Sequence, residues 1–158
     1  MLIKTSGAAV QGIDALVITI EAVAETGIQF SLVGMADTAV KESYQRVLSA
    51  VSQSGYKWPR RRIVVNLSPA DVKKEGAAYD LPIAIGILAA CEQLSPAIPL
   101  DSFMIMGELS LDGSILPIKG VLPMAIKARE MGFKGMIVPV ANATEAAVVN
   151  NIEVSGMS

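Results

Sequence analysis

The residues arranged most like a catalytic site lie in one short turn, Lys73 to Pro82, with the sequence KKEGAAYDLP. A glycine followed by small residues leaves backbone N–H groups open, and turns of this kind often hold a nucleophile at the start of a helix. In this turn the corresponding positions are Ala77 and Ala78, whose methyl groups cannot attack a substrate. The turn therefore predicts the shape of an active site without its reacting group.

The rest of the composition leaves few nucleophilic arrangements open. The chain has no histidine, which excludes Ser-His-Asp and Cys-His triads and the commonest zinc ligand. Its single cysteine, Cys91, lies in an apolar run and is interpreted as a small core residue. A Ser-Lys dyad needs no histidine, and Ser68 near Lys73 and Lys74 is the best candidate pair. A surface serine beside solvated lysines is the favoured interpretation.

No cofactor or metal is expected in this chain. Neither G-x-x-x-x-G-K-[ST] nor G-x-G-x-x-G occurs, so the sequence offers no phosphate-binding loop of these kinds. A metal site would have to use the carboxylates of Asp71, Glu75 and Asp80, and magnesium would be the only plausible ion. Carboxylates at the start of a helix are more often N-caps and solvated loop charges.

The densest basic segment is KWPRRR, Lys57 to Arg62, which includes the only tryptophan. Arginines beside an aromatic ring can bind phosphates and stack on bases. The net charge of -2 and the pI of about 5.1 argue against a dominant nucleic-acid surface, so a solvated charge run is the favoured alternative. The candidate contacts for a nucleic acid or an acidic partner are Trp58, Arg60, Arg61, Arg62, Lys73 and Lys74.

The periodicity predicts one α+β domain with a mixed sheet and packed helices. A length of 158 residues suits one domain, and without an apolar run of membrane-spanning length the chain is expected to be cytoplasmic. The predicted strands are residues 15–24, 28–35, 62–67, 135–139 and 152–156, a possible opening strand at 1–5, and a hairpin around Asp112-Gly113. Four helices are predicted. The first begins at Asp37 or Thr38 and ends at Gly55, the second covers residues 81–93 with Asp80 as its cap, and the third covers residues 121–131. The fourth is a short helix that begins at a capping box formed by Asn142 and Glu145.

Several strings resemble one bacterial family. VGMADTAVKES, VNLSPAD, KEGAAYDLPIAIGIL and GELSLDGSILPIKG strongly resemble the N-terminal region of the ComM/YifB family of magnesium-chelatase-like AAA+ proteins, over nearly the whole chain. That region is in turn similar to the proteolytic domain of Lon-type proteases and to the C-terminal domain of RadA. The resemblance implies a Lon-protease-like domain over residues 1–158.

The same resemblance implies that the domain has lost its catalytic pair. Lon-type proteases carry a serine two residues after the glycine of the turn, a place taken here by Ala78. They carry a lysine shortly after the LPIGG segment, and that place falls on Leu122, whereas Lys119 belongs to a different position. The vestigial turn is thus Gly76, Ala77 and Ala78, with Leu122, and no catalytic residue is expected.

The family further implies an AAA+ ATPase module downstream that binds ATP and Mg²⁺, hexameric ring assembly, and ATP-driven DNA branch migration in natural transformation. The favoured function is therefore a non-catalytic interaction domain that contacts its own ATPase module and neighbouring subunits, with DNA as a further candidate partner and no membrane partner. Two alternatives stay open. One is an active peptidase using an unconventional pair such as Ser68 and Lys74, and the other is a stand-alone structural module.

Overall fold

A long hairpin forms the centre of the sheet. In the computed structural model, which describes residues 1–149 and 152–157, β1 (Leu2–Gln11) pairs antiparallel with β2 (Asp14–Glu25) along its whole length. The turn has only two residues, and Gly12 supplies the positive φ of 64° that such a turn favours. The predicted opening strand is confirmed and extends well beyond residue 5.

Seven strands of the described residues form one mixed sheet in the order β3-β4-β2-β1-β5-β8-β9. Pairs β1–β2 and β2–β4 are antiparallel, and the four other neighbouring pairs are parallel, which confirms the predicted α+β class. The remaining strands are β3 (Phe30–Val33), β4 (Arg62–Ser68), β5 (Phe103–Ile105), β6 (Glu108–Leu109), β7 (Ile115–Leu116), β8 (Gly135–Pro139) and β9 (Glu153–Met157). The helices are α1 (Thr38–Lys41), α2 (Ser43–Gln53), α3 (Asp80–Ala90), α4 (Val121–Glu130) and α5 (Ala143–Ala146), and two short 3-10 turns cover Leu100–Ser102 and Val140–Asn142.

Helix α3 is the core of the domain because all eleven of its residues are buried. It packs on β1 and β2 on one side and on α2 on another. Gly86 faces Ala22 and Thr5 of the sheet, and a Cβ there would lie 3.4 Å from the Cβ of Ala22, which is ordinary van der Waals contact. The uniform apolarity of this segment, which gave no amphipathic stripe, is thus explained by burial on every face.

The predicted helix over residues 37–55 is correct in position but is split in two. Asp37 is its N-cap, with a carboxylate oxygen 2.8 Å from the Val40 nitrogen. The first helix, α1, ends at Lys41, and after Glu42 the second helix, α2, begins at Ser43. Helix α3 likewise ends at Ala90, earlier than the predicted residue 93.

The prediction that Asp80 caps α3 is wrong. Asp80 is the first residue of the helix, and its carboxylate accepts hydrogen bonds from Arg46 Nε at 2.6 Å and Arg46 Nη2 at 3.0 Å. The backbone N–H of Leu109 donates to the same carboxylate at 3.1 Å. Asp80 therefore joins α2, α3 and β6, and its carboxylate does not accept hydrogen bonds from the first N–H groups of its own helix.

The predicted short helix does begin after Asn142, which is the N-cap residue of α5, but the side-chain hydrogen bonds of a capping box are not formed. The side-chain amide of Asn142 bonds both the N–H and the carbonyl of Ile118, at 3.0 and 2.9 Å. The predicted hairpin is confirmed as β6 and β7, and the Asp112 carboxylate accepts from the Ser114 N–H at 2.8 Å in its turn. Asn142 thus holds the connection before α4, whereas Asp112 stabilises the hairpin turn, which lies beside α2.

Replacing Arg46 should destabilise the domain far more than replacing a surface arginine. Arg46→Met leaves the Asp80 carboxylate, whose side chain is 1% exposed, without its cation, and we expect a loss of about 3 kcal/mol of unfolding free energy. Arg62→Met removes the exposed pair with Glu25 and should cost about 0–1 kcal/mol. Urea unfolding of both variants checks this, and equal small losses would contradict it.

Candidate functional site

The Gly76 turn is held in place by hydrogen bonds on both sides. Gly76 has a φ of +85°, and its N–H donates to the second carboxylate oxygen of Asp37 at 3.2 Å. At the other end, the Ala78 carbonyl accepts from the Gly107 N–H at 2.9 Å, and the Leu81 N–H donates to the Gly107 carbonyl at 3.0 Å. The turn is therefore a fixed part of the fold.

A cavity of about 550 Å³ opens beside this turn. The end of β1 forms one wall, and the loop before the turn, the start of α3 and the start of α4 form the others. The lining residues are Ala8, Ala9, Val10, Gln11, Asp71, Val72, Lys73, Glu75, Ala78, Tyr79, Met106, Lys119 and Met124. This is the place where the sequence predicts the vestigial active site.

The lining residues include no serine, threonine or cysteine. Ala78 contributes a methyl group, and Tyr79 contributes the one hydroxyl of this set. Burial raises the pKa of Tyr79 to about 12, so its phenol stays protonated near neutral pH and is a poor nucleophile. The cavity wall thus has no activated nucleophile.

The lysine nearest in sequence to the predicted position lies on the cavity wall. Lys119 lines the cavity together with Ala78, although the resemblance to Lon-type proteases implies residue 122 as the place of the catalytic lysine. Leu122 is not among the lining residues; its side chain is 38% exposed and its N–H lies 3.3 Å from the Glu145 carboxylate. No local sequence signal pointed to Lys119, because its position depends on how the β7–α4 connection folds back on β1.

Lys74 is the main departure from the predicted contact surface. The sequence places it in a polar run as a solvated cation, but in the structure the residue is fully buried, at 0% exposure. Its Nζ donates to the carbonyls of Gly34, at 2.7 Å, and Pro69. Its backbone bonds Met35 and Asp37, so Lys74 ties the β3–α1 connection to the loop after β4. A side chain in this position cannot contact a partner, and we remove it from the candidate surface.

Gly34 is required at this crossing. Its φ is +113°, and a Cβ there would lie 2.1 Å from the Leu67 carbonyl oxygen. Only glycine lets the two connections approach closely enough for the Lys74 amine to reach both carbonyls.

Burial lowers the pKa of Lys74, with a smaller opposing effect from the charge of Asp71. A desolvated lysine is one of the two requirements of a Ser-Lys dyad. Ser68 ends β4 opposite Thr19, and it is not among the hydrogen-bond acceptors of the Lys74 amine in the described part of the chain. The structure therefore brings Lys74 to backbone carbonyls and does not join it to Ser68.

The basic segment is divided by its contacts. Trp58 packs in an aromatic cluster, with its ring centroid 5.7 Å from that of Tyr44 and 6.2 Å from that of Phe30. Arg62 pairs with Glu25 at 2.7 Å. Arg60 and Arg61 are exposed and line a cleft of about 340 Å³ with residues 24–27. Of this segment, those two guanidinium groups remain open to a ligand.

Lys73 does not lie near the arginines. It is exposed, forms a loose pair with Glu75 at 3.7 Å and lines the cavity beside the turn. Arg62 begins β4 and Lys73 follows its end, and a seven-residue strand spans roughly 20 Å at about 3.3 Å per residue. The predicted contacts therefore form two separate sites, one at each end of β4.

Comparison with known proteins assigns the chain to a family. A family model described as "Subunit ChlI of Mg-chelatase" matches residues 20–142, and the chain belongs to this family. It is 44% identical over 141 residues to the competence protein ComM of Haemophilus influenzae and 43% identical over 140 residues to YifB of Escherichia coli, which covers 89% and 88% of this chain. The chain spans only 27% of the length of each of these relatives.

The chain is also similar, more weakly, to two proteins from a third organism, Bacillus subtilis. Lon protease 2 is 32% identical over 114 residues, 72% of this chain and 19% of the relative, and DNA repair protein RadA is 33% identical over 87 residues, 55% and 18%. These matches agree with the resemblance drawn from the sequence. None of the helices in the described residues combines the length and the apolarity that crossing a bilayer requires.

The buried Lys74 amine should give the domain a distinctive pH dependence. The pKa of the Lys74 amine is about 10.5 in the unfolded chain and lower in the folded chain. Between these two pKa values the unfolded state therefore binds more protons than the folded state. The unfolding free energy of the wild type relative to Lys74→Met should therefore rise with pH through this window and level off above it. Denaturant unfolding between about pH 7 and pH 10 measures this, and Tyr79 titrates equally in both proteins.

Lys73→Met is the matched control, because its side chain is 60% exposed. A flat Lys74→Met difference over the same range would show that the Lys74 amine is solvated.

Proposed function

We propose that this domain is a non-catalytic interaction module of a ComM/YifB-type, magnesium-chelatase-like protein. The observation that carries the proposal is the cavity beside the Gly76 turn, which presents the Ala78 methyl group and no serine, threonine or cysteine. A methyl group has no lone pair, so what remains of such a site is its shape and its backbone groups. A preserved cavity without a nucleophile suits binding.

The whole protein, in this proposal, is an ATP-dependent motor that acts on DNA. Its support is the similarity to a competence protein and, more distantly, to a DNA repair protein. ATP and Mg²⁺ would bind a downstream AAA+ module, and the domain would contact that module and neighbouring subunits of a hexameric ring. Magnesium-chelatase chemistry on a porphyrin is not part of the proposal, since nothing in the cavity lining is typical of a porphyrin site.

The surface we propose for DNA is the cleft of Arg60 and Arg61. Both side chains are exposed, and within the described residues neither forms an ion pair, whereas Arg62 is already paired with Glu25. Glu25 also lines the cleft, but its carboxylate is paired with Arg62, so the guanidinium groups of Arg60 and Arg61 are available to bind phosphates. The Arg60/Arg61 cleft therefore replaces the longer contact list that the sequence suggested.

Reversing both charges should weaken DNA binding by the full-length protein. Each phosphate contact adds about 1 to the slope of log affinity against log salt, so Arg60→Glu/Arg61→Glu should reduce the magnitude of that slope by about 2. The control is Arg129→Glu/Lys134→Glu, which makes the same change in net charge at two other exposed residues. Equal slopes for the two double variants would show that the Arg60/Arg61 cleft does not contact DNA.

A second candidate function is peptide hydrolysis by Ser68 and Lys74. The observation that favours it is the desolvation of Lys74, whose lowered pKa is the property that a dyad base needs. The observation against it is that the amine donates to two backbone carbonyls, of Gly34 and Pro69, and not to Ser68.

A fluorophosphonate probe separates the two functions. Because Ser68 is not joined to a base, we expect no labelling of the full-length protein above that of its Ser68→Ala variant, measured by mass spectrometry with and without ATP. Labelling at Ser68 that is lost in Lys74→Met would instead establish the dyad.

A further inference from the structure

The end of β1 has a free edge. Along its whole length β1 pairs with β2, but on its other side it pairs with β5 through a single register position, Ser6 with Met104. Beyond this position β5 ends at Ile105, and the chain then bonds the turn before α3, since the Gly107 N–H donates to the Ala78 carbonyl at 2.9 Å. Residues 8–11 therefore lack a neighbouring strand on this side.

The register shows which backbone groups lie on that edge. Met1 and Ala24 exchange hydrogen bonds, at 3.3 Å in each direction, so the odd-numbered residues of β1 bond β2. The even-numbered residues direct their N–H and carbonyl groups to the opposite side. Ala8 agrees with this, because its N–H donates to the Met106 sulfur, 3.5 Å away. The N–H and carbonyl of Val10 consequently face outward and have no partner in the described part of the chain.

This edge forms one wall of the 550 Å³ cavity, which is lined by all four residues from Ala8 to Gln11. The apolar part of the lining includes Val72, Ala78 and Met124. Its charged residues carry both signs, Lys73 and Lys119 with Asp71 and Glu75. Acidic groups beside a binding groove repel phosphates, so this distribution disfavours a nucleic acid and suits a chain that carries charges of both signs.

We propose that an extended peptide binds in this cavity by adding a short strand to the free edge of β1. Its backbone exchanges hydrogen bonds with Val10, one apolar side chain enters the space beside Ala78, and charged residues on either side of it meet Lys119 and Asp71. Strand addition of this kind draws affinity from main-chain hydrogen bonds and specificity from pockets for alternate side chains. The inference rests on the proposed non-catalytic function, because the bound peptide is held and not cleaved.

The test uses the full-length protein and a fluorescein-labelled, end-capped peptide, KTVLVTE, followed by fluorescence anisotropy. Alternate residues of an added strand face β1, so N-methylation of one alternate set of amides removes the shared hydrogen bonds and N-methylation of the other set does not. We expect the two methylated peptides to differ at least about tenfold in affinity. Equal affinities, or no binding of the unmethylated peptide, would overturn the proposal.

Protein variants test the same edge from the other side. Val10→Pro removes the outward N–H without removing a bond to β2, and proline is tolerated at such edge positions. Val10→Ala keeps the N–H and is the matched control. We expect binding to fall at least about tenfold in Val10→Pro relative to Val10→Ala, and to be lost in Ala78→Trp, which fills the cavity. Equal binding by the two Val10 variants would contradict strand addition.

Mass spectrometry of the recovered peptide distinguishes this proposal from the one on which it rests. An intact peptide bound with the expected alternation supports both. A cleaved peptide bound with the same alternation would overturn the non-catalytic function while leaving the binding site in place.

Discussion

The carboxylate of Asp80 is the interaction on which the arrangement of the site depends. It is buried at the first residue of α3 and accepts two hydrogen bonds from Arg46 on α2 and one from the backbone of Leu109 in β6. Desolvating a carboxylate is costly, and the bidentate guanidinium offsets that cost only in one geometry. The start of α3, and with it the Gly76 turn, is thereby fixed relative to α2 and the hairpin.

This constraint explains why the turn keeps its shape without a nucleophile. Gly76 bonds the carboxylate that caps α1, Ala78 bonds Gly107, and Lys74 joins the β3–α1 connection to the loop before the turn. Each contact uses a backbone group or a buried side chain that the fold needs for its own packing. A turn of this kind can lack a serine hydroxyl and a lysine amine without losing any of the hydrogen bonds that hold it in place. The reacting groups are absent, but the cavity keeps its shape and is available for binding.

The parts of this account that could be predicted are those that depend on neighbouring residues. Hydrophobic periodicity located the strands and helices, the Asp112-Gly113 turn located the hairpin, and the spacing after Asp37 located a helix cap. The contacts that could not be predicted join distant segments. Asp80 and Asn142 have the residue types and spacings of caps, but tertiary partners, Arg46 and Ile118, take their side chains instead.

Lys74 is the clearest example of a contact between distant segments that its sequence neighbours do not predict. Beside Lys73 in the sequence KKEG it has every local property of a solvated cation, and only the crossing at Gly34 places its amine out of water. The pattern of the KKEGAAYDLP turn predicted the shape of an active site, and the resemblance predicted which two catalytic positions are lost, but the open β1 edge of the cavity depends on where β5 ends. If the cavity binds peptides without cutting them, the full-length protein should produce no new peptide ends from unfolded β-casein in the presence of ATP and Mg²⁺. Mass spectrometry should then detect no more new ends than in a sample without the protein. New ends that disappear in Ser68→Ala or Lys74→Met would show that the domain cleaves peptides.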